Sequence, residues 1–274
     1  MNTSPPLSPT LAHLPMLSSP QNQRVKDYVA LRTDGNVRRA RHCFLLEGKR
    51  AVDAALSLPR AHIAELIFSE HLLGSDLSLV ERAHAKNIPL VRVSKDVYKK
   101  IADVMAPQGI AAVVRMPDWN LDELLDTPNA LFVAACGLQD PGNLGTLIRS
   151  CEAAGAAGLL VLEGSADPFN AKVVRATAAG LLALPIVRLT SDEFLKAMRA
   201  RNARLVATSA HGGTPYKQFD WSRRPLALCI GSEGEGLPEE IESACAERVT
   251  IPMRGRAESL NAAVAASVLL FQAM

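Results

Sequence analysis

The chain has 274 residues, of which 48% are hydrophobic and 4% aromatic, and its formal net charge is +2. This length accommodates one large domain or two modest ones, and the composition suits helices packed on a parallel sheet. The longest apolar run is too short for a membrane-spanning helix, and the near-neutral charge neither requires nor excludes a nucleic acid partner.

The cysteines are dispersed and form no C-x-x-C pair; they are Cys43, Cys136, Cys151, Cys229 and Cys245. This pattern predicts buried thiols in a reducing cytoplasm rather than a disulfide framework or a zinc site. The histidines show no ligand spacing either, so we expect no metal.

Residues 1–20 contain five prolines and no lysine or arginine, which predicts a disordered leader rather than a secretory signal. A basic cluster follows between residues 24 and 50. Such a cluster is typical of RNA phosphate contacts, although an ordinary solvated helix face fits equally well. Its candidate RNA-binding residues are Arg38, Arg39, Arg41, Lys49 and Arg50.

Short apolar runs alternate with helical patterns through residues 21–115, which predicts a small α/β/α domain. The predicted strands are Cys43–Leu46, Ile63–Phe68, Leu90–Val93 and Ile110–Arg115. Residues 116–126 contain Met116-Pro117-Asp118-Trp119-Asn120 and read as a linker.

Residues 127–274 predict a second α/β domain with a mostly parallel sheet. Its six predicted strands are Leu131–Cys136, Gly158–Leu162, Pro185–Leu189, Leu205–Thr208, Leu226–Ile230 and Arg248–Ile251. The predicted helices between them cover about 143–156, 168–180, 191–201 and 238–246.

Three strand-to-helix loops of this second domain carry residues suited to ligand binding. One has glycines at 231, 234 and 236, the reverse of the dinucleotide fingerprint, and no P-loop occurs in the chain. A second runs from Pro252 to Asn261, and a third from Gly137 to Gly145 with Arg149 beyond it. Loops after parallel strands share one edge of the sheet, so we expect the three to converge. Each loop judged alone also allows a simpler interpretation. The glycine loop fits a turn that binds no ligand, and Arg149 fits an ion pair on the protein surface.

Together these loops resemble the three ordered motifs of the SpoU (TrmH) family of S-adenosylmethionine-dependent RNA ribose 2′-O-methyltransferases in the SPOUT superfamily. The matching stretches are Asn143-Leu144-Gly145-Thr146-Leu147-Ile148-Arg149, Ile230-Gly231-Ser232-Glu233-Gly234-Glu235-Gly236-Leu237, Ile251-Pro252-Met253 and Ser259-Leu260-Asn261-Ala262-Ala263-Val264-Ala265. Upstream, Phe44-Leu45-Leu46-Glu47-Gly48 and Pro107-Gln108-Gly109-Ile110 resemble the substrate-binding domain that often precedes this catalytic domain, which is similar to kink-turn-binding ribosomal proteins.

The resemblance implies a C-terminal trefoil knot over about 226–274, S-adenosylmethionine as cofactor and a homodimer with sites near the subunit interface. The segment from Ala262 to Phe271 is apolar nearly all round, which fits an interface helix and a buried core helix equally. The cofactor-binding residues that the resemblance implies are Thr208, Ala210, His211, Ile230, Gly231, Gly236, Ile251, Met253, Ser259 and Leu260.

For the chemistry, the family account assigns proton removal to the motif-one arginine with help from an RNA phosphate. An arginine keeps its proton at neutral pH, so we expect Arg149 to clamp the phosphate and stabilise developing alkoxide charge. Glu233 is the alternative base, or else an anchor for its loop. We expect Asn143 to orient Arg149 or the ribose, and Ser259 and Asn261 to cap the last helix.

The leading hypothesis is an enzyme that methylates a ribose 2′-hydroxyl in ribosomal RNA, with 23S rRNA as the favoured substrate. The alternatives are a transfer RNA 2′-O-methyltransferase, an enzyme that methylates a base nitrogen on the same fold, and a non-catalytic RNA-binding or ribosome assembly factor. A nicotinamide-dependent oxidoreductase is disfavoured by the reversed glycine spacing.

Overall fold

The computed structural model describes residues 11, 13–72, 76–102, 104–177 and 179–274. They form two compact units, one made of the residues up to 117 together with 169–182, the other of 118–168 and 183–274. The predicted domains were continuous in sequence, at 21–115 and 127–274. The grouping of residues 169–182 with the first unit was not anticipated, because it depends on packing rather than on chain order.

The helices of the described residues begin and end as follows: α1 Gln23–Thr33, α2 Gly35–Arg41, α3 Lys49–Ser57, α4 Leu77–Ala85, α5 Lys95–Ile101, α6 Leu121–Leu125, α7 Pro141–Ala153, α8 Ala171–Ala176, α9 Ser191–Ala200, α10 Glu239–Ala244 and α11 Ala262–Gln272. The strands are β1 Met16–Leu17, β2 Cys43–Glu47, β3 Ile63–Ser69, β4 Leu90–Val93, β5 Ile110–Arg115, β6 Leu131–Ala135, β7 Gly158–Leu162, β8 Ile186–Leu189, β9 Arg204–Ser209, β10 Thr214–Pro215, β11 Leu226–Ile230 and β12 Glu247–Thr250. None of these helices is long and apolar enough to cross a membrane.

The first unit is built on a sheet with strand order β1-β4-β3-β5-β2. The β1, β4 and β3 strands run parallel, whereas β5 pairs antiparallel with both β3 and β2. Apolar residues of α1 and α5 cover one face, where Tyr28, Tyr98 and Ile101 are buried. Phe44 points the other way from the same sheet and packs on Phe169, with ring centroids 5.1 Å apart.

The prediction of a disordered leader fails at Met16 and Leu17, which form β1 and pair with Arg92 and Val93. The backbone N–H of Ser94 also donates to the carbonyl of Leu17. An edge strand offers unpaired backbone groups, and this segment satisfies them. Residues 1–10 and 12 lie outside the described residues.

The second unit contains a parallel sheet with strand order β10-β12-β9-β11-β6-β7-β8. The α/β class with a parallel sheet is thereby confirmed, and β10, a two-residue edge strand, is added to the six predicted strands. The threading that would make residues 226–274 a knot stays a prediction.

Both faces of this sheet are covered, which explains why strands such as Leu226–Ile230 are apolar at every position. Phe132, Phe194 and Met198 belong to the core on the side of α6, α9 and α10. On the other side α7 packs against α11, and the hydroxyls of Ser150 and Ser267 are 2.7 Å apart.

The thiols are only partly as predicted. Cys136, Cys151 and Cys229 are buried, whereas Cys43 and Cys245 are half-buried. Burial raises the pKa of the Cys151 thiol well above its ordinary value. This thiol is therefore protonated and unreactive at neutral pH.

Arg204 connects the start of β9 to two other segments of the second unit. Its Nε donates to Oε1 of Glu247 on β12 at 2.7 Å, and the same guanidinium donates to the carbonyls of Asp220 and Arg223. It also lies over the ring of Phe219, 5.2 Å from the centroid. The hydrogen bond from Arg204 lowers the pKa of Glu247.

This ion pair predicts a pH-dependent loss of stability on replacing Glu247. The pKa of Glu247 is lower folded than unfolded, so its carboxylate stabilises the fold at neutral pH and loses this effect as the pH falls below its ordinary value of 4.5. We expect Glu247→Gln to lower the free energy of unfolding by about 2 kcal/mol at neutral pH. Urea unfolding should show the difference shrinking in acid. Glu240→Gln, at an exposed position of α10, is the control, and a penalty independent of pH would contradict the assignment.

Candidate active site

The carboxyl ends of β9, β11 and β12 open onto one cleft of about 800 Å³, part of it open to solvent. The β9 strand lies between β11 and β12 and pairs parallel with both. The loops that follow the three strands therefore meet at one edge of the sheet. The lining residues are Thr208, Ser209, Ala210, Ile230, Gly231, Ser232, Glu233, Gly236, Val249, Ile251, Met253, Glu258, Ser259, Leu260, Ala262, Ala265 and Leu269.

The glycine loop after β11 is a tight turn closed on itself. The backbones of Ser232 and Gly236 exchange two hydrogen bonds of 2.9 and 3.1 Å. Gly236 has a φ of +73°, which favours glycine. A Cβ on Gly231 would lie 2.3 Å from the carbonyl carbon of Gly236, whereas one on Gly234 would meet nothing within 4 Å. Two of the three glycines are therefore required by the shape of the turn.

Side chains from all three predicted loops meet at the carboxylate of Glu233. Its Oε1 accepts hydrogen bonds from Nδ2 of Asn143 at 3.1 Å, from the backbone N–H of Ala262 at 3.2 Å and from Nδ2 of Asn261. The Nδ2 of Asn261 also donates to Oδ1 of Asn143 at 2.8 Å. This carboxamide–carboxylate cluster joins the start of α7, the glycine loop and the start of α11.

The capping roles differ from the expectation. Asn261 caps α11, because its Oδ1 accepts from the backbone N–H groups of Ala263 and Val264, but Ser259 lies two residues before the cap and lines the cleft instead. At α7 the cap is Asp140, whose side chain accepts from the N–H of Asn143. The side chain of Asn143 is thereby left to face Glu233.

Arg149 is not among the residues that line this cleft. It lies six residues after Asn143 on α7, a rise of roughly 9 Å along a helix, and its side chain is exposed. Within the described ranges, its guanidinium forms no hydrogen bond or ion pair, so the alternative of a surface pair with Glu152 is not realised.

Of the residues expected to bind a cofactor, His211 is the one that does not line the cleft. Its loop is held by Ser209, whose hydroxyl donates to the carbonyl of His211 at 2.6 Å. Sequence reasoning missed Ser209 and Glu258, which do line it. Glu258 directly precedes the Ser259-Leu260-Asn261 motif. Its place next to this motif could have identified it as a residue of the cleft.

The candidate RNA-binding arginine Arg38 is a wrong prediction. Its side chain is buried with only 3% of its surface exposed, and it donates to the carbonyls of Leu31 and Arg32, so it joins α1 to α2. Arg41 pairs with Asp27 at 3.0 Å and Lys49 pairs with Asp76.

RNA contact by Arg39, Arg41, Lys49 and Arg50 stays a prediction, because the side chains of all four reach solvent. Arg39 donates to the side chain of Asn36.

Two family models match the chain. Residues 130–271 match the SpoU rRNA Methylase family, and residues 22–112 match an MRM3-like substrate binding domain. Among curated proteins, the 23S rRNA (guanosine(2553)-2′-O)-methyltransferase RlmP of Bacillus subtilis is 32% identical over 255 residues, covering 93% of this chain and 97% of that protein.

The chain is also similar to solved structures of rRNA and SpoU methyltransferases. An AdoMet-bound rRNA methyltransferase from Sinorhizobium meliloti superposes with a TM-score of 0.84 at 32% identity, covering 94% of this chain and 97% of that one. The SpoU methyltransferase AviRb from Streptomyces viridochromogenes, in complex with AdoMet, gives a TM-score of 0.81 at 32% identity, covering 92% and 97%.

The two glycines of the loop supply a matched test of its geometry. Gly231→Ala places a Cβ against the backbone of Gly236, which cannot yield without opening the turn, and we expect it to cost about 2 kcal/mol of stability. Gly234→Ala has open space and should be within about 0.5 kcal/mol of the wild type. Thermal unfolding of the two variants compares them, and equal melting temperatures would show that the turn is not closed as described.

Proposed function

Because this chain belongs to the SpoU rRNA methylase family, we propose that it transfers the methyl group of S-adenosylmethionine to a ribose 2′-hydroxyl of 23S rRNA. The observation that carries the proposal is the meeting of three loops at Glu233, beside a cleft at the carboxyl edge of the parallel sheet, where ligands of α/β proteins bind. The proposal extends to ribosomal RNA in the cytoplasm, and it is supported by the similarity to bacterial proteins named as rRNA methyltransferases.

The residues that line the cleft fit the cofactor in their chemistry. Ile230, Ile251, Met253 and Leu260 give the cleft apolar walls suited to an adenine ring. Leu260 is a large apolar side chain with 36% of its surface exposed, which a bound ring would cover. Bound there, S-adenosylmethionine supplies an electrophilic methyl group on a sulfonium.

Glu233 serves as an anchor rather than as a base in this proposal. Three donors occupy its Oε1, and two of them come from side chains that must stay in place for the site to keep its shape. It also accepts a hydrogen bond from the backbone N–H of Ala262, which has no partner within the helix because it lies at the start of α11. Negative charge is favourable at this end of a helix. Asn143, held at both ends of its carboxamide, orients the ribose near the cleft.

Arg149 clamps an RNA phosphate and stabilises negative charge that develops on the ribose oxygen. It serves the cleft of the neighbouring subunit of a homodimer. In support, Arg149 is exposed, lacks a partner within the described residues, and lies on the helix that packs beside α11. Val264 and Phe271 of α11 have 46% and 55% of their surfaces exposed. They are seven residues apart, which is about two helical turns, so they lie on the same face of the helix. An apolar face of this kind fits a second copy of the chain.

Replacing Arg149 and Glu233 separates their roles. Arg149→Ala should abolish methyl transfer to ribosomal RNA while leaving S-adenosylmethionine binding unchanged, since Arg149 does not line the cleft. Glu233→Gln should weaken both, because it disturbs the cleft itself. Transfer of a labelled methyl group and calorimetric binding measure the two effects. Full turnover by Arg149→Ala would remove it from the mechanism.

Mixing two variants that we expect to be inactive, Arg149→Ala and Gly231→Ala, tests the shared site, since the added Cβ of the second opens the turn that lines the cleft. A dimer of one Arg149→Ala subunit and one Gly231→Ala subunit keeps one intact cleft, served by the arginine of the other chain. We expect methyl transfer to reappear when the two are refolded together. Val264→Asp should give a monomer by light scattering, with no activity. A fully active monomer, or a mixture without activity from dimers that do form, would contradict the shared site.

A further inference from the structure

Among the residues that the structure describes, the charged ones that line the cleft are acidic. Its lining includes Glu233 and Glu258, and neither a lysine nor an arginine is among the described residues that line it. The carboxylate of Glu233 is engaged by Asn143, Asn261 and the Ala262 N–H. Glu258 forms no hydrogen bond or ion pair within the described ranges, so its charge is free to act on a ligand.

Glu258 is exposed and belongs to the lining of the cleft in which the cofactor would lie. It directly precedes Ser259 and Leu260, which line the same cleft, and Asn261, which is fixed by Glu233 and Asn143. Arg254 and Arg256 stand on the same loop, but neither lines the cleft or pairs with Glu258 within the described residues.

Resting on the proposed function, we infer that Glu258 is a specificity-determining residue that makes the cleft bind the sulfonium cofactor in preference to its product. S-adenosylmethionine and S-adenosylhomocysteine share every group except one: the first carries a positive sulfonium and the second a neutral thioether. A free carboxylate in the cleft attracts the first and gains nothing from the second. The preference opposes inhibition by product, because the site loses its electrostatic attraction once the methyl group has left.

The charge of Glu258 affects cofactor binding and turnover differently. Positive charge disperses from sulfur in the transition state, so a carboxylate nearby stabilises bound cofactor more than it stabilises the transition state. Removing the charge therefore raises KM for the cofactor without lowering kcat. A merely structural role of Glu258 would lower kcat as well.

The experiment measures calorimetric affinities of the full chain for S-adenosylmethionine and for S-adenosylhomocysteine. We expect Glu258→Gln to weaken the first by roughly fivefold, the scale of one partly exposed charge pair, and the second by less than about twofold. Glu258→Asp, which keeps the charge, should retain most of the preference. Glu240→Gln, at an exposed position of α10 that does not line the cleft, should behave like wild type. Added salt should diminish the wild-type preference.

Each other outcome overturns the inference. An equal loss for both ligands would mean that Glu258 contacts a group they share, such as a ribose hydroxyl or the ammonium. Unchanged affinities for both would mean that its carboxylate does not reach the ligand. If the wild-type chain bound neither ligand, the proposed function itself would fail, which is distinct from a failure of Glu258→Gln to discriminate.

Discussion

The carboxylate of Glu233 is the contact on which the arrangement of the second unit's site depends. It receives donors from the start of α7 through Asn143 and from the start of α11 through Asn261 and the Ala262 N–H. A single oxygen thus fixes two helix starts relative to one glycine loop. The contact is charge-assisted, so it is stronger than a bond between neutral groups, and it satisfies an N–H that a helix start would otherwise leave unpaired.

The parallel sheet makes this contact possible. The β9, β11 and β12 strands are adjacent, and each ends at the same edge, so loops that are far apart in sequence arrive together. The order of the strands does not follow the chain, because β11 is flanked by β6 and β9. Loop backbone replaces bulky side chains at that edge, and Gly231 allows the turn after β11 to fold back within a Cβ's width of Gly236.

In the proposed function, recognition of the cofactor and contact with RNA belong to different residues of the site. The cleft is walled by apolar side chains and carries only negative charge among its described lining, which suits a small cation and repels phosphates. The cations suited to phosphate, such as Arg149, lie outside it. Membership of the SpoU rRNA methylase family fits this division, since its reaction brings a polyanion to a cationic cofactor.

The sequence by itself determined the α/β class, the parallel sheet and the three loops, because strand periodicity, glycine spacing and motif order are local properties of the chain. It also placed Asn143, Glu233 and Asn261 in one site. It did not determine which positive charges are free: Arg38 reads as part of a basic cluster, yet burial commits it to the carbonyls of Leu31 and Arg32.

Only the tertiary structure decided that Ser259 lines the cleft while Asn261 caps α11, and that Glu258 is an unengaged carboxylate there. These outcomes depend on side-chain directions and on partners up to 118 residues away, as between Asn143 and Asn261. Contacts at such separations leave no periodic signal in the sequence, because each is fixed by packing of elements whose relative positions the sequence pattern does not specify.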